Sequence, residues 1–467
     1  MSDELTSAPT TPGNVLILPT SYRPKPDVAH TLEKRTLTPE SDNILLEARE
    51  LDRKSNYPCT FDYEAYRRIE RRFAERPIRG GITLKTAFRL VNSHSTCQQC
   101  LYAFEIDTYG RGCVHNCSYC YAKAQLTVHG WWNKPIPVPA NLNEIRRAFY
   151  LTFETSRKHK WRQFLERRIP LRIGSMSDSF MWMDQQIKIS QEFLKLLSFY
   201  KYPYVIFTRS DLIATDEYIS LLDSKLGTVQ FSISSTNEEL NRLIEPGAPS
   251  AKRRLAALGK LSKAGIWTAV RINPIFPIYP DGYFTDPKFS WDGPVPKFEF
   301  TSFDMIDEIA NHGVPSVIAG FGRFSRLSLN AVERATDFNL RQFYRRNIVD
   351  KSWRDFHYSD QEVRYYYEQF RKKCNTHNIQ FTTCYIGNGE GHFWKDQDLW
   401  TNKRDCCAIK GKVPSFKRDS REIPFETRLK FTAQKSLMPL SQDLHKPIGL
   451  VGVDSVASET MTDEAQP

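Results

Sequence analysis

The 467-residue chain predicts an α/β fold organised around a parallel sheet. Two observations carry that expectation. Short apolar runs rich in Val, Ile, Phe and Thr alternate with longer stretches of helical periodicity, and the βα pairing recurs six times. Hydrophobic residues make up 40% of the chain and aromatics 13%, enough apolar area for a sizeable core. A barrel, a partial barrel and a doubly wound sheet all fit this pattern, and composition does not choose between them.

Taken in order, the expected strands are 102–109 (YAFEIDTY), 171–175 (LRIGS), 204–208 (YVIFT), 229–234 (VQFSIS), 268–273 (TAVRIN) and 316–321 (SVIAGF). Each is short and β-branched or aromatic, as strands buried on both faces are. Helical patterns over 141–167, 185–200, 212–225, 250–264 and 302–312 fill the intervals, and a further helix over 359–378 leads into an additional strand within 379–387 (IQFTTCYIG). Residues 1–60, rich in Pro, Ser, Thr and charge, are expected to form a mostly disordered arm, and 61–100 a lead-in segment. The α/β domain is then 101–345, followed by an α+β extension over 346–435 and a flexible acidic tail over 436–467.

No stretch approaches the ~18–20 apolar residues of a membrane span. The N-terminal MSDELTSAPTTPG lacks the basic and apolar regions of a secretory signal. The expected location is the cytoplasm, or a host's cytoplasm if the chain is virus-encoded. In that reducing setting clustered cysteines are metal ligands or catalysts more often than disulfides.

The formal net charge is +11, and the excess is uneven. Residues 143–172 hold nine Lys/Arg against three Glu; residues 341–373 hold nine against five acidic residues, interleaved with Phe343, Tyr344, Trp353, Tyr365, Tyr366 and Tyr367. Basic side chains mixed with aromatics suit phosphate contacts and base stacking, so a nucleic-acid partner is expected. The competing reading is a pair of solvated helix faces.

In parallel α/β architectures the working groups collect at the carboxyl ends of the strands. Here those exits carry RGCVHNCSYCYAK (111–123), GSMSD (174–178), TRSD (208–211), SISS (232–235) and NPIFP (273–277). The first holds Cys113, Cys117 and Cys120 in C-x3-C-x2-C spacing. Three thiolates do not complete a four-coordinate zinc site, although His115 is within reach as a fourth ligand. They do suit a 4Fe–4S cluster with one iron left open. Three reduced core thiols are the bland alternative.

The string GCVHNCSYCYA after the first strand resembles the radical S-adenosylmethionine (SAM) superfamily, and within it the spore photoproduct lyase-like, DNA repair lyase-like group. The likeness extends through IGSMSDSF, FTRSDLIATD and residues 231–277, and covers about 100–345. It implies a partial (β/α)6 barrel with a cysteine-containing C-terminal extension and disordered termini. It implies a 4Fe–4S cluster on Cys113, Cys117 and Cys120, with SAM chelated to the open iron. It also implies a reducing partner such as flavodoxin or ferredoxin, and a 5′-deoxyadenosyl radical that takes hydrogen from substrate. A nucleic-acid base is the expected substrate, with lyase, isomerase or base-modifying action, including on a hypermodified thymine in DNA. A peptide or small metabolite is the alternative substrate, and a zinc-containing nucleic-acid-binding protein the alternative class.

Gly174, Ser175, Ser177 and Asp178 stand where the superfamily binds the SAM amino group. Arg209 stands where related proteins hold the SAM carboxylate. Ser232, Ser234 and Asn273 are candidate ribose contacts, the two serines sharing one face by strand alternation. His115 and Tyr119 are expected to pack and hydrogen-bond around the cluster. The lyase group uses a cysteine downstream of its cluster loop as hydrogen donor, yet no cysteine lies between Cys120 and Cys374 here. Cys384, late in the additional strand, is the candidate substitute. Cys97, Cys100, Cys406 and Cys407 are candidate ligands of an auxiliary metal, and GNGEGH (387–392) reads as a plain loop.

Overall fold

The structure is a computed structural model that describes residues 88–90, 102, 104–128, 132, 137–350, 353–384, 396–401, 405–409 and 411–414. Its centre is an eight-stranded sheet: β1 (Phe88–Leu90), β2 (Phe104–Ile106), β3 (Leu171–Ile173), β4 (Tyr204–Thr208), β5 (Gly227–Ser232), β6 (Trp267–Ile275), β7 (Ser316–Phe321) and β8 (Gln380–Thr383). Spatial order follows chain order throughout. Strands β2 to β8 are parallel, while β1 adds antiparallel to β2. The first and last strands do not pair, so the sheet is an open, partial barrel.

The six expected parallel strands are present, and the additional strand within 379–387 supplies a seventh. The edge strand β1 lies in the lead-in segment, where no strand was expected. The bounds of 204–208 and 316–321 agree with the sequence reading. Several helices do not keep their expected length. The pattern over 141–167 splits into Leu142–Phe153 and Arg162–Leu165. Between them the Arg162 guanidinium takes the carbonyls of Leu151, Thr155 and Arg157, which ends the first helix in a side-chain cap. The pattern over 185–200 breaks at Lys188, which adopts φ 59°.

Five helices start at side-chain caps: Asn141, Asn237, Ser250, Ser325, and Ser359 in a capping box with Glu362. Helix Asp360–Thr376 buries Val363, Tyr367, Phe370 and Cys374, and this face docks the helix that precedes β8.

The two faces of the sheet differ. Ile106, Ile173, Ile206, Val229, Phe231, Val270 and Ile272 join one large core with the helices. The opposite face carries Arg172, Phe207, Gln230 and Arg271, with both guanidiniums lying against the Phe207 ring at 5.4 and 4.6 Å. Onto this polar face folds the segment around 400–413, whose Trp400, Cys406, Cys407, Ile409 and Val413 cluster with Val205. It is tied down strand by strand: Gln230 Nε2 donates to Cys407 O, Trp267 Nε1 to Ala408 O, and Thr382 Oγ1 to Cys406 O. No described helix is long and apolar enough to cross a membrane.

Candidate functional site

The loop 111–120 leaves the carboxyl end of β2 and runs directly into helix Tyr121–Val128. Two residues take left-handed backbone, Arg111 at φ 64° and Asn116 at φ 48°, which folds the loop tightly. Asn116 N donates to Cys113 O and Cys120 N to Cys117 O, so the three cysteines sit on consecutive tight turns. Lys123 N donates to Cys120 Sγ at 3.4 Å, and Val114 N to Met181 Sδ at 3.3 Å.

Two segments grip the loop from opposite sides. On one, Ser177 Oγ donates to Gly112 O at 2.9 Å, and His115 Nε2 meets Asp178 Oδ2 at 3.0 Å. Asp178 also accepts from Thr208 Oγ1, Arg209 N and Phe180 N, so both its oxygens are engaged within the protein. Burial alone would raise its carboxyl, but these bonds, led by that from His115, hold it below the usual range. On the other side, Gly247 N donates to His115 O, His115 Nδ1 meets Gly247 O at 3.1 Å, and Ser118 N donates to Ile244 O. A Cβ at Gly247 would run into the carbonyl oxygen of Val114, which is why the grip needs glycine there.

Beside the cysteines lies a charged group that sequence reasoning missed. Glu245 is buried and accepts from Tyr119 Oη; it pairs with Arg254 at 2.5 Å and faces Arg209 Nε at 3.6 Å. Burial raises its carboxyl, but the Arg254 and Arg209 guanidiniums outweigh that and hold it low. Glu245 lies within the stretch that carries the family resemblance, in RLIEPG, but nothing local marks it as the shared partner of Arg254 and the more distant Arg209. Arg209 donates Nη2 to Tyr119 Oη at 3.1 Å, while its Nε is buried with no hydrogen bond. Two guanidiniums therefore share one carboxylate, which leaves positive charge facing the cysteines.

The remaining expected residues fall as follows. Gly174 has φ 85°, and a Cβ there would strike the Phe207 carbonyl, so the GSMSD turn presses on β4. Ser175 donates Oγ to Glu105 and its N–H to Asp107; Met176 N also donates to Asp107. Asp107 and Glu105 were likewise not singled out from the sequence. Ser232 is half-buried; Ser234 is buried with its hydroxyl 3.3 Å from Tyr119 Oη. Asn273 borders Gly320, where a Cβ would meet Asn273 Nδ2 at 2.8 Å and Cys384 O at 2.9 Å. Cys384 thus stands beside Asn273 at the strand exits, hydrogen-bonded to Arg271. Cys406 and Cys407 lie away from the exits, on the polar face of the sheet. Cys97, Cys100 and residues 387–392 lie outside the described residues.

Whether the loop fits an iron–sulfur cluster is decided by its donors. Burial, with the Asp178 carboxylate nearby, pushes the Cys113 thiol up to about 12, and burial also raises Cys117 and Cys120. Thiolates this disfavoured call for a bound cation to compensate them. Among the described residues, the group of donors converging within 4.8 Å is Asp405, Cys406 and Cys407, not the loop cysteines. The wider spacing suits a cubane, in which each thiolate takes a separate iron, rather than one shared ion.

The basic segments look different once folded. In 143–172, Arg162 and Arg168 bind backbone carbonyls, Arg172 pairs with Glu105, and Arg146 with Glu192. Arg157, Lys158 and Lys160 stay exposed. In 341–373, Arg341, Arg364 and Lys373 are paired with carboxylates, and Tyr344 and Tyr367 are core residues. Tyr365 remains 57% exposed. Those paired charges and core rings serve the fold.

Residues 108–285 match the family model described as the Radical SAM superfamily. The partial barrel with its cysteine loop is therefore similar over this region to the Radical SAM superfamily, a class that implies SAM and a 4Fe–4S cluster. An uncharacterized protein of Methanocaldococcus jannaschii is 28% identical over 170 residues, covering 36% of this chain and 58% of that protein. An uncharacterized protein of Acidianus two-tailed virus is 27% identical over 178 residues, covering 36% and 54%. The chain thus spans about half the length of these curated relatives. Among solved structures, a spore photoproduct lyase with bound AdoMet and dinucleoside spore photoproduct aligns at TM-score 0.46 and 17% identity, over 65% of this chain and 81% of that one. A second spore photoproduct lyase structure aligns at TM-score 0.46 and 18% identity, over 65% and 79%.

Proposed function

We propose that the protein is a radical SAM enzyme whose Cys113, Cys117 and Cys120 hold the 4Fe–4S cluster. The observation that carries this is the twice-gripped loop that sets three thiols at a strand exit beside the Arg209 guanidinium. The bound cofactors supply reductive cleavage of SAM and a 5′-deoxyadenosyl radical that abstracts hydrogen. The chain's own residues place and enclose them. Arg209, which shares the Glu245 carboxylate with Arg254, orients the SAM carboxylate. Gly174 and Ser175 offer the turn toward the amino group, and Ser232 and Asn273 stand at the exits where a ribose would lie. Ser177, Asp178, Ser234, His115 and Tyr119 act one step removed: their hydrogen bonds fix the loop. Cys384, beside Asn273, is the hydrogen donor within reach of the same mouth. A flavodoxin- or ferredoxin-type partner delivers the electron.

A nucleic-acid base is the substrate favoured by the motif resemblance, the net charge of +11 and the exposed Arg157, Lys158 and Lys160. The pairing of Arg146, Arg341 and Arg364 with carboxylates of the same chain favours a second reading, a small metabolite or peptide. Anaerobic reconstitution tests the chemistry: the wild type should be brown and cleave SAM on reduction, and Cys117→Ala should lose both. SAM cleavage retained in that variant would overturn the ligand assignment. For the substrate, DNA binding should weaken steeply with salt; absent or salt-insensitive binding selects the small-substrate reading.

A further inference from the structure

Away from the cysteine loop, a second set of soft donors converges on the polar face of the sheet. One carboxylate oxygen of Asp405 and the sulfurs of Cys406 and Cys407 all lie within 4.8 Å of one another, and all three residues are buried. Zinc–sulfur bonds of about 2.3 Å at tetrahedral angles set thiolates roughly 3.8 Å apart, so this spacing contracts onto one ion with small movements. Two features make the cluster more than three core residues. First, its backbone is held from three strands, by Gln230, Trp267 and Thr382, so the donors are preset rather than loosely packed. Second, the guanidinium of Arg271, buried in the sheet, donates to Gln230 Oε1 at 2.9 Å and to Cys384, and the groups whose charge it faces are Cys384, Cys406 and Cys407. A buried guanidinium is costly unless an opposite charge meets it.

We propose that Asp405, Cys406 and Cys407 bind one divalent cation of the zinc type, distinct from the iron–sulfur site. Two thiolates, one carboxylate and a divalent ion carry a net charge of minus one, opposite in sign to the Arg271 guanidinium that faces the two cysteines. Borderline-soft S and O donors suit zinc over magnesium or calcium, and three donors within 4.8 Å are too close for a cubane. The fourth position is left for a further donor. The Asp405 carboxylate also accepts from Cys407 N at 2.9 Å, from Ile409 N and from the Tyr102 hydroxyl, which orients it. The role is structural: the ion would fasten the C-terminal segment to the sheet face behind the radical SAM site.

The test is metal analysis of the full chain, purified anaerobically after growth with added zinc. The wild type should hold about one zinc per chain in addition to its iron. Cys406→Ser with Cys407→Ser should lose at least about tenfold in zinc yet keep its iron and brown colour. A Cys113→Ala, Cys117→Ala, Cys120→Ala variant should show the reverse, losing iron and keeping zinc. Should the double variant fold poorly, the triple variant, stripped of its iron chromophore, is titrated with Co2+. A thiolate-to-cobalt charge-transfer band should appear there and vanish when Cys406→Ser is added, with circular dichroism unchanged. Wild-type protein without zinc, or zinc and cobalt binding unaffected by the Cys406 and Cys407 changes, would overturn the proposal.

Discussion

At Gly247 an added methyl group would run into the carbonyl oxygen of Val114, the residue that follows Cys113. Gly247→Ala should therefore cost about 1–3 kcal/mol by overpacking. It should also lower the iron taken up on reconstitution, with far-ultraviolet circular dichroism unchanged; wild-type iron content in that variant would show that the loop does not depend on the contact. Asp178 and Glu245 act on the same loop through charge. Both carboxyls titrate below their ordinary values in the folded chain, so each stabilises it fully above the usual carboxyl range, about 4. That stability is lost as pH falls through the depressed folded values. The melting temperature of cluster-free protein should accordingly hold between about pH 5 and 7 and drop below about pH 4. Asp178→Asn should be less stable than wild type at neutral pH, and the gap should narrow in acid; a gap independent of pH would contradict the assignment.

Helix Asp360–Thr376 shows how one local element conditions the sheet. Its start is fixed by Ser359, whose hydroxyl accepts from Glu362 N at 3.3 Å while the Glu362 carboxylate accepts from Ser359 N at 2.8 Å. Ser359→Ala should lower stability by about 0.5–2 kcal/mol. Hydrogen exchange should speed first in the first helical turn, and uniform protection there would sink the capping argument. This helix was legible in the sequence because a capping residue, a 3.6-residue apolar stripe and a following strand all agree. So was the cysteine loop, whose spacing is local. The splitting of 141–167 was not legible, because it turns on Arg162 reaching back to carbonyls up to eleven residues earlier. Nor was Glu245, whose partners Arg209 and Tyr119 lie 36 and 126 positions from it. The basic segments were only partly legible for the same reason: a count of arginines does not reveal that Arg168 binds carbonyls of Tyr200 and Lys201 inside the fold.

At the scale of the whole molecule, the match to the Radical SAM superfamily ends at residue 285, yet the sheet it belongs to is completed well beyond that point. β8 and the segment around 400–413 come from the part of the chain outside the match, and they cover two exposures an open barrel would otherwise carry. Thr401 N donates to Phe381 O, and Phe381 N to Thr401 Oγ1, so residues beyond β8 satisfy part of its free edge. Trp400 fills the space beneath, buried against Val205, Cys406 and Ile409, with Nε1 donating to Thr383 Oγ1 at 2.7 Å. Removing that ring opens a cavity between β8 and the polar face, so Trp400→Ala should cost about 3–5 kcal/mol. The loss should register where the segment is tied, as faster amide exchange in β4, β5 and β8, while the helix-side core of β2 and β3 keeps its protection. If protection fell equally across all eight strands, the C-terminal segment would be part of a single cooperative unit with the barrel. The graded outcome is expected because the contacts of Trp400 and Cys406–Ile409 concentrate on one face and one edge, and the large apolar core on the opposite face does not include them.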